Sequence, residues 1–225
     1  MATDDRESHP NPLMRLLEPT WRVERPLDDT LAALALDAKI CDIGAGGRRI
    51  RPEAVCVDVA PGPNVDLVGD AHALPLDDAA YDLAVCTGTL NLCHDPAKVV
   101  SEFNRVLRTG GLVHLEVGMF QPYNPEPEDY WRFTLAGLRL LFDRGGFDQV
   151  RAGTHIGPMS ALATSAMYLS GRLLEGDGLV RKAARGASHA VFGPLKYLDG
   201  LIPKDKLDRT PFGYGIYFVG KKRAP

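Results

Sequence analysis

Residues 38–59 read AKICDIGAGGRRIRPEAVCVDV. The first part, Lys39 to Ile43, has the apolar character of a buried strand, and glycines 44, 46 and 47 then form a turn. A short crossover leads to a second apolar strand, Val55 to Val59, that closes on Asp58. Glycine at the carboxyl end of a strand lets the backbone approach a ligand closely, and an acid ending the next strand can accept from both hydroxyls of a ribose. The pattern implies a nucleoside-bearing cofactor.

The segments that follow repeat the same logic outward. Val65 to Val68 reads as a third strand after the turn Pro61-Gly62-Pro63-Asn64, and it delivers Gly69-Asp70-Ala71 to the edge that carries Gly44 and Asp58. Tyr81 to Thr87 reads as the fourth strand. Parallel sheets bind ligands at strand carboxyl ends, so Thr87, Gly88 and Thr89 are expected to line the pocket. Asp95-Pro96 starts a helix, because proline suits the first helical position. That helix presents Val99, Phe103 and Val106 on one face and is expected to run to Gly110-Gly111, with a fifth strand over Leu112 to Val117.

Taken together, Asp42-Ile43-Gly44-Ala45-Gly46, Gly69-Asp70-Ala71, Leu74-Pro75-Leu76, Tyr81 to Cys86 and Arg105 to Gly111 resemble, in order, the motifs of class I S-adenosylmethionine (SAM) methyltransferases with a type 11-like domain. The resemblance spans about Ala38 to Phe147. It implies a three-layer, Rossmann-like α/β fold with a mostly parallel seven-stranded sheet and an antiparallel last strand, to which this chain adds a helical insert before that strand. It implies SAM as cofactor, held by Asp42, Gly44, Ala45, Gly46 and Thr87, with Asp58 on the ribose, Asp70 accepting from the adenine amino group and the Ala71 N–H meeting a ring nitrogen. The chain departs from the pattern between Gly47 and Ala54, where Pro52 prevents the helix most members have. The cofactor's carboxylate then loses a helix amino terminus to rest on, and Arg48 and Arg49 become candidates to meet it.

The rest of the chain reads as an elaboration of one domain. Residues 1–12, polar and punctuated by proline, are expected to be a disordered tail, with a single domain over 13–225. Leu13 to Leu17 reads as a helical turn, and Asp28 or Asp29 as the cap of a helix to about Leu36. Trp21 and Arg22 are open to two readings, part of a lid or a packing Trp beside a solvated Arg. The loop Gln121 to Asp129 is too rich in proline for helix or central strand and is placed over the pocket. Thr134 caps a helix ending at Gly145-Gly146. Phe147 to Thr154 and Tyr214 to Gly220 are the sixth and seventh strands.

Between them, residues 158–212 carry helical spacing in Leu162, Ala166, Leu169 and Leu173, and again in Val180, Ala184, Ala187 and Val191. Residues 156–206 hold seven Lys or Arg against four Asp or Glu, although the whole chain has a formal charge of -3. This basic insert fits a cap over the substrate, a homodimer face in place of a monomer, or weak contact with a membrane surface. The overall charge argues against a general nucleic-acid binder. The four cysteines, at 41, 56, 86 and 93, lack CxxC spacing and read as small core residues in a reducing compartment rather than a metal site, and no apolar leader or spanning stretch appears, so a cytoplasmic protein is expected.

Methyl transfer from a sulfonium is an in-line displacement that needs alignment and water exclusion but no metal. A hydroxyl or ammonium acceptor also needs a base within reach. His94, after the fourth strand, is the first candidate, with Tyr123, Tyr130 and His155 behind it. Tyr130-Trp131-Arg132-Phe133-Thr134 resembles a segment of some of these methyltransferases, and Tyr130 and Arg132 are candidate contacts to a small-molecule, natural-product or sugar-like acceptor. Arg132 also has a structural reading, as the partner of Asp129 or Glu128. Two rivals remain. One is a SAM- or SAH-binding subunit without catalysis. The other is a nicotinamide oxidoreductase, disfavoured because Arg49 stands where GxGxxG needs glycine.

Overall fold

The computed structural model describes residues 20–124, 128–173, 178–208 and 212–224. The chain divides into two compact units: Pro26–Gly118, Asn124–Gly153 and Ile216–Pro225 in one, and Met1–Arg25, Met119–Tyr123 and Thr154–Gly215 in the other. The tail expected over 1–12 and the turn over 13–17 lie outside the described residues.

The first unit is built on α1 (Pro26–Ala32), β1 (Ile40–Ile43), β2 (Val55–Asp58), β3 (Leu67–Val68), β4 (Tyr81–Thr87), α2 (Pro96–Val106), β5 (Leu107–Gly118) and α3 (Leu135–Arg144). Two further strands, β6 (Phe147–Ile156) and β7 (Gly215–Lys222), complete a seven-stranded sheet of order β3-β2-β1-β4-β5-β7-β6. The first five strands in that order are parallel and β7 is antiparallel. The order reverses direction between β1 and β4, which is where a doubly wound sheet opens a crevice at its carboxyl edge.

Local chemistry explains the helices. The Asp95 carboxylate accepts from Lys98 N at 3.1 Å and Pro96 occupies the first position of α2, while Val99, Val100, Phe103 and Val106 are fully buried against the sheet. The Thr134 hydroxyl accepts from Gly137 N and caps α3, which buries Leu138 and Phe142. On the other sheet face Leu27 packs with Ile40, Ile50, Ala54, Leu83 and Val85. Burial of such aliphatic side chains contributes about 1.5–3 kcal/mol each.

Several boundaries differ from the sequence expectation. Helix α1 begins at Pro26, so Asp28 and Asp29 sit in its first turn rather than before it, and it ends at Ala32, leaving Leu36 91% exposed. Helix α2 stops at Val106 instead of reaching Gly110, because Leu107 already pairs with Tyr81 of β4. Strand β5 therefore starts five residues early, and Gly110 makes an internal kink at φ 79°. Strand β3 is only two residues long.

The second unit holds the insert as α4 (Pro158–Leu173), α5 (Leu179–Phe192), a 3-10 helix (Gly193–Leu201) and α6 (Lys204–Leu207). Asp199, 1% exposed, accepts from Met159 N, Ser160 N and Ser160 Oγ. A buried carboxylate thus closes the amino terminus of α4, where the helix dipole favours negative charge. The Trp21 ring lies against Gly200 and Tyr197, and the Trp21 backbone N–H donates to Ser160 Oγ.

Candidate active site

Three strand tips converge in the first unit. Gly44 and Gly46, at the end of β1, adopt φ 71° and 56°, and the N–H groups of Gly44 and Ala45 both donate to Val57 O near the end of β2. A side chain at Gly44 would meet Thr89 Oγ1 at 1.9 Å, whereas a Cβ on Gly46 would meet nothing within 4 Å. Glycine is thus demanded by packing at position 44, while at 46 the backbone faces open space with no side chain between it and a ligand.

Asp58 closes the other side of this turn. Its Oδ2 accepts from Gly46 N at 2.8 Å and its Oδ1 from Ala60 N at 3.1 Å. A carboxylate offers about four lone-pair sites. Each oxygen therefore retains capacity for a further donor, as a pair of vicinal hydroxyls would require. Val59, the next residue, is 68% exposed beside it.

Asp42 is fully buried at the end of β1. Arg48 crosses to it from the glycine turn, with Nη2 3.4 Å from Asp42 Oδ2 and 2.6 Å from Thr87 Oγ1 at the tip of β4. Arg49 turns away, to Asp66 Oδ1 and Ala54 O, both at 2.7 Å. The Asp66 pair lifts the Arg49 guanidinium above its ordinary value and holds the Asp66 carboxyl below its own. Between Gly47 and Ala54 the backbone makes turns only, so no helix starts at the glycines.

At the end of β3, Asp70 Oδ1 accepts from His72 N at 2.9 Å and lies 2.6 Å from His72 Nδ1. Those contacts, the backbone one first, hold the Asp70 carboxyl below its ordinary range, and its side chain is 60% exposed. Ala71 is half-buried beside it. Asp95 N donates to His72 Nε2 at 3.2 Å, so the imidazole is oriented from both sides. Its ring stacks on His94 at 4.1 Å, and His94 in turn meets the edge of Tyr130 at 6.5 Å.

The segment after β4 is tied to the segment before α3. The N–H groups of Tyr130 and Trp131 donate to Asn91 O, and Trp131 Nε1 donates to Cys93 O. Asp129 accepts from Asn124 N, from Asn91 Nδ2 and from Arg132, whose ion pair is the main reason its carboxyl stays below the usual range. Arg132 therefore takes the structural partner that sequence offered it. Burial raises the thiols of Cys41, Cys86 and Cys93, the last to about 11, which suits core residues.

The structure therefore brings together Asp42, Gly44, Ala45, Gly46, Asp58 and Thr87, with Asp70, Ala71, His94, Tyr130 and Arg132 in the same unit. Tyr123 and His155 belong to the other unit. Sequence reasoning passed over His72 and Asn91, and offered Thr89 only as a pocket-lining residue. His72 carried a signal, an acid two residues earlier that can form a local turn with it. The other two act through contacts remote in sequence.

Residues 42–115 match the family model of a methyltransferase domain. No curated protein matches this sequence. Among solved structures, the chain is similar to a Galdieria sulphuraria protein described as a sarcosine dimethylglycine methyltransferase (TM-score 0.56, 16% identity, 88% of this chain and 84% of that one). It is also similar to the [4+2]-cyclase SpnF (0.54, 17%, 89% and 82%). A third is Haemonchus contortus phosphoethanolamine N-methyltransferase 2, solved with S-adenosyl-L-methionine (0.56, 15%, 88% and 52%). Residues 42–115 thus match a methyltransferase domain model, and the seven-stranded sheet to which they belong has the class I methyltransferase fold.

Proposed function

We propose that the chain transfers the methyl group of SAM to a small-molecule acceptor. The observation that carries this reading is Asp58, bound through one lone pair on each oxygen to the backbone around the glycine turn and left with one on each for a ribose diol. The open backbone face at Gly46 and the exposed apolar face of Val59 fit the rest of an adenosyl group. Asp70 keeps most of its carboxylate exposed while His72 fixes it, which suits an acceptor for an exocyclic amine.

Bound SAM supplies an electrophilic methyl on a sulfonium. The chain's own task is to align the acceptor, exclude water and take up its proton. Thr87, Gly88 and Thr89 stand at the tip of β4. His94, in the segment that follows them, is exposed and stacked on His72, a placement that suits a base. Tyr130 extends the same aromatic row toward an acceptor.

A second reading, a SAM- or SAH-binding protein without catalysis, draws on the helix-free crossover after Gly47 and on the fact that one fold hosts many chemistries. Calorimetry with SAH, followed by transfer of labelled methyl from SAM to a panel of small hydroxyl and amine acceptors, separates the two. Tight SAH binding with label in an acceptor is the expected result. Binding without any transfer favours the second reading, and no binding removes both.

A further inference from the structure

We propose that Arg48 receives the carboxylate at the amino-acid end of the cofactor, with Asp42 and Thr87 as its positioning residues. The inference rests on the SAM reading and goes beyond it by assigning a role that a helix amino terminus otherwise fills. That turn lacks such a helix, because residues 47–54 contain no regular element. An anion arriving there needs another source of positive charge.

Three arginines occupy the crossover, and the structure separates them. Arg49 spends its guanidinium on Asp66, Ala54 O, Pro52 O and Asn64 O. Arg51 donates to Leu31 O at 2.5 Å and pairs with Glu53 at 3.8 Å. Arg48 alone of the three points to the strand tips, and its side chain is 12% exposed. Both of its partners, Thr87 Oγ1 and Asp42 Oδ2, sit on the single nitrogen Nη2.

A guanidinium has five N–H donors in a rigid fork. Arg48 Nε is buried with no hydrogen-bond partner. An unmet, desolvated donor of a charged group is costly, and a second carboxylate relieves it. Asp42 is 0% exposed and pairs with Arg48 at 3.4 Å, so it positions the guanidinium in place of meeting a ligand itself. The two charges offset each other, which leaves the pocket suited to a zwitterionic amino-acid end.

The test compares two ligands that share adenosine and thioether, SAH and 5′-methylthioadenosine, of which the second lacks the amino-acid end. Calorimetry is run on the full chain as wild type, Arg48→Gln and Arg48→Lys, with thermal melting as a check on folding. Arg48→Gln should weaken SAH binding at least about tenfold and change 5′-methylthioadenosine by less than about twofold, with Arg48→Lys between. Equal loss of both ligands, or loss of neither, overturns the assignment. If Arg48→Gln does not fold, an Arg48→Lys protein that binds both ligands as wild type does also overturns it. A wild-type chain that binds neither ligand overturns the SAM reading and this inference with it, an outcome distinct from the other three.

Discussion

Replacing Asp58 with alanine tests whether the acid at the end of β2 serves ligand, fold or both. The carboxylate has two structural bonds, to Gly46 N at 2.8 Å and Ala60 N at 3.1 Å. Losing them costs about 1 kcal/mol apiece, more if Gly46 N is left without a partner, and in a chain of this length each kcal/mol lowers Tm by about 2–4 °C. A Tm drop of roughly 4–8 °C follows from the two together. On the proposed reading the remaining lone pairs take two hydroxyls, and one charge-assisted bond sets the floor for lost affinity at about tenfold. Calorimetry with SAH and its 2′-deoxy analogue divides the effects. Wild type should discriminate between them, and Asp58→Ala should not, even where both bind more weakly. SAH affinity unchanged in the variant, or an undiminished preference for the 2′-hydroxyl, would refute the ribose assignment.

Further outcomes follow from the same geometry. Gly44→Ala forces a Cβ to within 1.9 Å of Thr89 Oγ1 at a φ of 71°, so it should destabilise by more than the ~1–2 kcal/mol left-handed penalty, and adding Thr89→Gly should recover part of the lost Tm. His94→Asn should lower methyl transfer at least about tenfold while SAH affinity stays within about twofold, and an unchanged rate excludes it as the base. Asp129 has a depressed carboxyl, so its bonds stabilise the folded state above its unfolded pKa and are lost as pH falls through the folded one. Trp131 fluorescence should therefore stay constant down to about pH 4 and change below it, and a transition centred above pH 5 contradicts the clamp.

Where sequence reading succeeded, the signal was local. The bounds of β4 at Tyr81 and Thr87, the Asp95-Pro96 start of α2 and the Thr134 cap of α3 depend on neighbours within a few residues, and all three appear as read. The end of α2 depends on something distant. Gly110 is a good helix stop, yet Leu107 is claimed first by Tyr81 across the sheet, a tertiary contact that no window around Leu107 contains. The adjacent arginines make the same point inside the site. Arg48 and Arg49 are indistinguishable by sequence, but consecutive residues of a turn face different ways, and Asp66 captures one while Asp42 and Thr87 take the other.

The aromatic row of His72, His94 and Tyr130 shows why fold and chemistry part company. In the proposed reading glycines and an acid at strand tips make a nucleoside cradle, but one fold hosts many chemistries; SpnF, a [4+2]-cyclase, has a similar fold. What distinguishes one activity from another must lie in groups the cradle does not need. His72 is needed to hold Asp70, and Asp95 N fixes its far nitrogen, so it has no freedom to move protons. Among the described residues His94 makes ring contacts to His72 and Tyr130 and its side chain is exposed, which suits the proposed role of base. Hydrogen bonding therefore favours His94 over His72 for the proposed proton transfer. Removing His72 should disturb cofactor affinity through Asp70, whereas removing His94 should act on turnover. Opposite results for the two variants would mean that the row serves packing and that the proton leaves by another path.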